Sequence, residues 1–365
     1  MPVPKGSRLR IPSAEAPPAG RQSATPRATM RDVAQAAGVS VQTVSNLING
    51  KTNHMGADTE ARLREVSETL KFRPNSSAQG LRSKSTRVLA FVIGDASEAF
   101  LGDPMTDLFL AGLGSELRSH DYSLLIDSYR PGDPLRNITR QLDDGRVDGA
   151  VVMLSGPIEE RTRAAKQLRR SGRPLILLQE HSHLADGLPS VSAQDCEGSY
   201  RLSTHLVEKG HRRITFLTAK EDWSALEQRA AGYTQALTEA GLKSHLKVLH
   251  ANDFSPTSGA EAATRILSRQ SRPTAIMCGN DRLALGVLRA ASKLGLKVPE
   301  ELAVTGFNDF DFAAMTSPSL STVRIPGYEM GVAAATSLLG FANHKTSIPS
   351  SLYEVELRLR ESTGD

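Results

Sequence analysis

The residues best suited to chemistry lie in one short stretch, Val41-Gln42-Thr43-Val44-Ser45-Asn46-Leu47-Ile48-Asn49. Wound as a helix, it places Val44, Leu47 and Ile48 on one face and Val41, Gln42, Ser45, Asn46 and Asn49 on the other. The outer face is polar but uncharged, whereas a merely solvated face usually carries Lys and Glu. An amide donates and accepts in one plane, which suits it to the edge of a base. The chemistry is recognition rather than catalysis. A shorter helix precedes it, with Val33, Ala34 and Ala37 on one face. Thr29 and Asp32 have the spacing of a capping box. Gly38 suits its end, since glycine takes a left-handed backbone without steric cost. Ser40 suits the cap of the next helix. The pair reads as a helix-turn-helix with residues 41–49 as the recognition helix. An ordinary helical hairpin has the same pattern, so the rest of the chain must decide.

Charge is distributed in keeping with a DNA partner. The 365 residues carry a net charge of +4, but residues 1–87 hold 14 Lys/Arg against 6 Asp/Glu, while residues 88–365 hold 30 against 34. Basic charge concentrated around the helix-turn-helix is the footprint a phosphate backbone wants. A third helix, from about Thr59 to Leu70 with Asp58 as cap, offers Leu63, Val66 and Leu70 to close a three-helix core. Residues 1–28, rich in Pro, Ala, Ser and Arg, read as a disordered basic tail without the apolar core of a secretory signal. Two cysteines, Cys196 and Cys278, fall at a helix start and a strand end and form no metal-spaced cluster. No apolar run reaches 18 residues.

Residues 74–86 read as a linker that could hold one short helix, too short to persist alone. Leu81 is its one large apolar residue, flanked by Arg82 and Lys84. That arrangement suits a minor-groove wedge, and equally a flexible linker whose leucine touches the next domain. From Val88 the texture changes to Val88-Leu89-Ala90-Phe91-Val92-Ile93-Gly94, as expected of a strand buried on both faces. Strands and helices then alternate to about Thr305. Two such series predict parallel sheets in two lobes, with a ligand in the cleft at the carboxyl ends of the strands.

The chain resembles the lactose-repressor (LacI/GalR) family of bacterial transcription regulators, over about Thr29 to Thr363. The matching residues are Asp32-Val33-Ala34 with Ala37-Gly38-Val39-Ser40, Thr43-Val44-Ser45, Arg73-Pro74-Asn75, and Ala78-Gln79-Gly80-Leu81. Further on come Lys209-Gly210-His211-Arg212-Arg213-Ile214, Arg229-Ala230-Ala231-Gly232-Tyr233, Gly279-Asn280-Asp281, Val298-Pro299-Glu300, Gly306-Phe307-Asn308-Asp309 and Thr322-Val323-Arg324. The segment from Phe100 to Leu113 is similar to the subgroup sensing glucosides or related sugars. The resemblance implies an all-α helix-turn-helix headpiece at 29–73 and a hinge helix at 74–86. It also implies a two-lobed α/β core at 87–365, like periplasmic sugar-binding proteins, that binds effector and dimerises. Members act as homodimers on near-palindromic double-stranded operators.

Carried over by position, Thr29, Ser40, Val41, Gln42, Thr43, Ser45, Asn46, Asn49, Asn75, Ala78, Leu81 and Arg82 would face DNA, with Leu81 as the minor-groove wedge. Asn46 departs from the arginine frequent there. Asp95, Phe100, Asp103, Asp195, Trp223, Arg229, Asn280 and Asn308 would bind a sugar or glycoside effector. Trp223, the only tryptophan, would form a wall against an apolar sugar face. Asn308 replaces a common aspartate, and Gln179-Glu180-His181 replaces a stretch that often supplies an arginine. The expected function is an allosterically controlled transcription regulator, a repressor of sugar-metabolism genes. It is expected to be cytoplasmic and nucleoid-associated, with no cofactor, no metal and no catalytic residue. A sugar-transport binding protein would share the core but not the basic headpiece. A nucleotide-dependent α/β enzyme would want a glycine-rich phosphate loop, and Gly94-Asp95-Ala96-Ser97 offers one glycine.

Overall fold

The structure, a computed structural model, describes residues 28–48, 51–53, 55–72, 85–94, 102–130, 132–133, 135–181, 187–220, 223–344 and 348–365. The chain divides into two compact units, Met1–Arg82 and Ser83–Asp365. The division falls within the stretch expected as the hinge.

The first unit holds helices α1 (Met30–Ala37), α2 (Val41–Ile48) and α3 (Ala57–Thr69). Asp32 N donates to Thr29 Oγ1 at 3.3 Å and Thr29 N donates to Asp32 Oδ2 at 2.7 Å, so the capping box is made. These bonds hold the Asp32 carboxyl below its usual range. Gly38 ends α1 at φ 66°, and Thr43 N donates to Ser40 Oγ at 3.1 Å to cap α2. Val33, Ala34, Ala37, Val44 and Leu63 form the small core, with Leu47, Ile48, Val66 and Phe72 packed around it. The third helix starts two residues earlier than the sequence reading, with Gly56 at its cap and no side-chain cap bond. Asp58 sits inside the first turn, where its charge still complements the helix dipole.

The second unit is two α/β lobes. In the first, β1 (Val88–Gly94), β2 (Ser123–Tyr129), β3 (Gly149–Met153), β4 (Leu175–Leu178), β5 (Ser190–Ala193) and β11 (Ser351–Tyr353) form one parallel sheet, ordered β11-β5-β4-β3-β1-β2. The two-residue period of a strand divides β1 between two cores. Leu89, Phe91 and Ile93 pack with Met105, Phe109, Leu113 and Leu117 of α4 (Pro104–Ser119) and with Met330, Ala334 and Leu338 of α11 (Gly327–His344). Ala90 and Val92 pack with Ile138 and Leu142 of α5 (Arg136–Asp143) and with Ala165 and Leu168 of α6 (Ile158–Arg169). Covering both faces is what made this strand read as an unbroken apolar run.

In the second lobe the parallel sheet is β7-β6-β8-β9, from β6 (Ile214–Ala219), β7 (Val248–Ala251), β8 (Ala275–Cys278) and β9 (Ala303–Thr305). One face is covered by α7 (Asp195–Glu208) and α8 (Ser224–Glu239), the other by α9 (Pro256–Leu267) and α10 (Asp281–Lys293). α7 and α8 approach so closely that a Cβ on Gly232 would overlap the Cys196 carbonyl oxygen.

The sequence reading missed how the lobes are joined. The chain leaves the first lobe after β5. It returns after β10 (Thr322–Arg324) to build α11 and β11, then crosses back through β12 (Glu356–Arg358), which pairs antiparallel with β10. Gln194 N donates to Tyr353 O at 2.8 Å, tying two of these three crossings together. The short strands β5, β11 and β12 carry too few apolar residues to stand out as periodic signals.

Candidate DNA-reading face and interlobe cavity

On α2, Val41 is 43% exposed and Gln42 and Asn46 stand beside it. Gln42 Nε2 donates to Asn46 Oδ1 at 3.0 Å. The bond does not use Gln42 Oε1, its second N–H or the Asn46 NH₂, so the two amides form a joined set of donors and acceptors. Ser40 and Thr43 share a 2.8 Å hydroxyl bond at the helix start. One placement fails: Ser45 is buried, at 4% exposure. It stands on the flank of the inner stripe of Val44, Leu47 and Ile48, about 100° round from Val44, where neighbouring packing covers its small side chain. Thr29 is exposed but its hydroxyl is committed to the α1 cap. Asn49, Asn75, Ala78, Leu81 and Arg82 lie outside the described residues, as does the tail at 1–27.

Between the lobes lies a cavity of about 240 Å³. Asp103, Trp223, Arg229, Asn280 and Asn308 line it, as read from sequence. Asp95 and Phe100 lie outside the described residues. Asp195 has a different role. It is fully buried and does not line this cavity; its Oδ1 accepts from Arg229 Nε at 2.7 Å. Arg229 Nη1 also donates to Gly279 O at 2.7 Å, and its guanidinium carbon lies 4.0 Å from the centre of the Phe307 ring. The cation is thus oriented on three sides before any ligand arrives. Asn280 caps α10, its Oδ1 accepting from Leu283 N at 2.9 Å, so its NH₂ remains to donate. Asp103 caps α4 through Met105 N at 2.8 Å.

Asn308 is the most telling member. It is 6% exposed, and its Oδ1 is buried without a hydrogen-bond partner among the described residues. An orphaned buried acceptor costs about 1–3 kcal/mol unless something donates to it. Asn308 also sits at φ 110°, and Gln179, another lining residue, at φ 56°. Strained backbone of this kind costs about 1–3 kcal/mol and collects at binding sites.

Sequence reasoning noted Gln179 only as part of a departing stretch and missed Asp253, Phe254 and Arg282, along with the apolar wall of Ile93, Met105, Met153 and Leu226. Several of these follow or end strands β1, β3, β4 and β7, so the strand-end rule itself was the available signal. Asp253 is held below the usual carboxylate range by hydrogen bonds from Ser255, chiefly its hydroxyl. The Gln179-Glu180-His181 stretch resolves into two functions. Gln179 faces the cavity, while Glu180 is buried against Arg161. Among the described residues no group of three His, Cys, Asp or Glu could hold a metal, and no helix is long and apolar enough to cross a membrane.

Residues 29–75 match the model of bacterial regulatory proteins of the lacI family, and residues 203–363 match that of a periplasmic binding protein-like domain. Catabolite control protein A of Priestia megaterium is 30% identical over 339 residues, which span 92% of this chain and 99% of that protein. The chain belongs to the LacI family. A second relative, the HTH-type transcriptional repressor PurR of Pectobacterium carotovorum, is 31% identical over 86% of this chain and 89% of its own. The lac repressor dimer bound to operator and the anti-inducer ONPF shares the fold, with a TM-score of 0.80 at 23% identity, covering 92% of this chain and 99% of that one. The transcriptional regulator CelR in complex with cellobiose superposes at a TM-score of 0.68 with 25% identity, covering 92% of this chain and all of that one. As a LacI-family member with an intact headpiece, the chain is a DNA-binding transcription regulator. This decides against an ordinary hairpin in the headpiece and against a transport protein.

Proposed function

We propose that this LacI-family chain is a homodimeric repressor of sugar-metabolism genes that binds a near-palindromic operator. A neutral sugar or glycoside in the interlobe cavity controls its affinity. Asn308 carries the reading. Its buried, unpartnered Oδ1 asks for a donor such as a hydroxyl, and a neutral amide asks for no charge. The charged groups around it support a neutral ligand. Arg229 is compensated by Asp195, Asp103 caps a helix, and the two other charged lining residues, Asp253 and Arg282, carry opposite charges that interact. Arg229 and Asn280 retain N–H groups for hydroxyl oxygens, while Trp223 and the apolar wall suit the C–H face of a ring. The cellobiose complex of CelR is consistent with such an occupant. A flat heterocycle is the competing occupant, since Trp223 and Phe254 would stack on it equally well.

For the operator, Val41 and the Gln42–Asn46 pair would enter the major groove, Thr29, Ser40 and Thr43 would lie along the backbone, and Leu81 would wedge the minor groove. Effector and operator affinities are then reciprocally coupled through the lobes. The test is selection of bound DNA from a random pool by the full-length protein, alone and with glucose, cellobiose, other common sugars and free nucleobases. A palindromic consensus whose recovery changes with a sugar is expected. A response to nucleobases alone would overturn the sugar assignment, and no consensus at all would overturn the operator reading.

A further inference from the structure

The first turns of α8 carry much of the cavity wall, through Trp223 at the cap, Ala225, Leu226 and Arg229. These turns belong to the second lobe, yet the first lobe grips them. Arg161 on α6 is fully buried. Its Nη1 donates to both carboxylate oxygens of Glu180, at 2.7 and 2.8 Å, and its Nε donates to Gly156 O at 3.0 Å. All of these partners are in the first lobe. Its Nη2 reaches across and donates to Glu227 Oε1 on α8 at 2.5 Å. The next residue after Glu180 makes two more crossings. His181 N donates to Ser224 Oγ at 3.0 Å, and His181 Nε2 donates to Asp195 Oδ2 at 3.1 Å. The other oxygen of Asp195 holds Arg229.

We propose that Arg161, Glu180 and His181 are positioning residues for the ligand site, forming a clamp that closes the lobes and presets the cavity wall on α8 before an effector enters. The proposal rests on reading the cavity as the effector site. Its chemistry suits a reversible latch. The Arg161–Glu180 pair stays within one lobe in any arrangement, so the guanidinium remains aimed across the boundary whether or not Glu227 meets it. Glu227 is half exposed, with 46% of its side chain accessible. On opening, it exchanges a charged partner for water rather than being stranded in the interior, so that contact is weaker than an interior ion pair and sensitive to salt. The His181–Asp195–Arg229 series makes the orientation of a second-lobe guanidinium depend on a first-lobe imidazole. A ligand that needs Arg229 where it stands binds the closed form. A ligand too large for the closed cavity must break the clamp.

The test needs no effector. Hydrogen–deuterium exchange of the segment 223–231 would be measured on the full-length protein without DNA or sugar, with a segment of α10 as internal control. Acrylamide quenching of Trp223, the only tryptophan, would be read in parallel. Losing one charge-assisted bond is expected to raise the open population, and with it the exchange of 223–231, by roughly tenfold in Glu227→Ala and His181→Ala. Quenching should rise with it while α10 is unchanged. Glu227→Gln, whose amide oxygen still accepts from Arg161, should shift less. Raising the salt concentration should move the wild type in the same direction as Glu227→Ala. Unchanged exchange and quenching in both alanine variants would overturn the clamp. So would equal acceleration in α10, which would mark general loosening. Because the readout contains no ligand, failure of the sugar assignment would leave these outcomes intact.

Discussion

Substituting Asp195 by Asn separates an effector contact from a support for one. Asp195 is fully buried and Arg229 is 4% exposed, and their 2.7 Å bond sits deep between α7 and α8. Asparagine keeps the shape but removes the charge. Arg229 would then keep only neutral partners, the Asn amide oxygen, the Gly279 carbonyl and the Phe307 ring, none of which carries a formal negative charge. Breaking a buried pair by removing one partner costs about 3–5 kcal/mol, because the surviving charge stays uncompensated. For a domain of this size that corresponds to a melting temperature lower by roughly 6–20 °C. The assay is calorimetric or circular-dichroism melting of the ligand-free protein. The double variant Asp195→Leu/Arg229→Met removes both charges and should recover most of the loss in stability, though not effector binding. If Asp195→Asn melts within about 1 kcal/mol of wild type yet loses its response to effector, the support role is wrong and Asp195 touches the ligand directly.

Gln42→Ala is expected to relax one operator position by about 1–3 kcal/mol in a binding selection, and its coupling to Asn46→Ala should be non-additive because the two amides share a bond. Equal weakening on all sequences would instead mark a backbone contact. Asp281 is buried at the start of α10, accepting from Thr322 Oγ1 at 2.6 Å and Phe310 N at 2.8 Å. Burial outweighs those bonds and pushes its carboxyl from 3.8 up to about 7. The folded state therefore binds this proton more tightly than the unfolded chain, so the stability it contributes is present below about pH 4 and lost as pH rises to about 7. Denaturant titrations across that window should show the wild type losing stability relative to Asp281→Asn, and a flat difference would refute the assignment. Gly232→Ala should destabilise by about 1–3 kcal/mol or more in thermal melts, since the added methyl overlaps the Cys196 carbonyl. A neutral result would mean that α7 and α8 can separate without loss.

The amino-acid sequence by itself determined what depends on neighbours along the chain. The capping box of Thr29 and Asp32, the left-handed Gly38, the apolar stripe of the headpiece and the doubly covered strand β1 all follow from local spacing and the periods of helix and strand. So did Arg229, Asn280 and Asn308 as lining residues, though only through the family resemblance. What the tertiary structure decided was every role that depends on what lies across space. Ser45 has a polar side chain, and only packing turned it inward. Asp195 looked like a ligand contact, and only its 2.7 Å approach to Arg229 made it a support. Gln179, the adjacent Asp253 and Phe254, and Arg282 at the start of α10 converge from three separate stretches, and the crossings between lobes run through strands of three or four residues. Arg161, Glu180 and Glu227 are far apart in sequence and carry no shared motif. Charges that meet across a lobe boundary obey distance and dielectric, and neither is written in the order of residues along the chain.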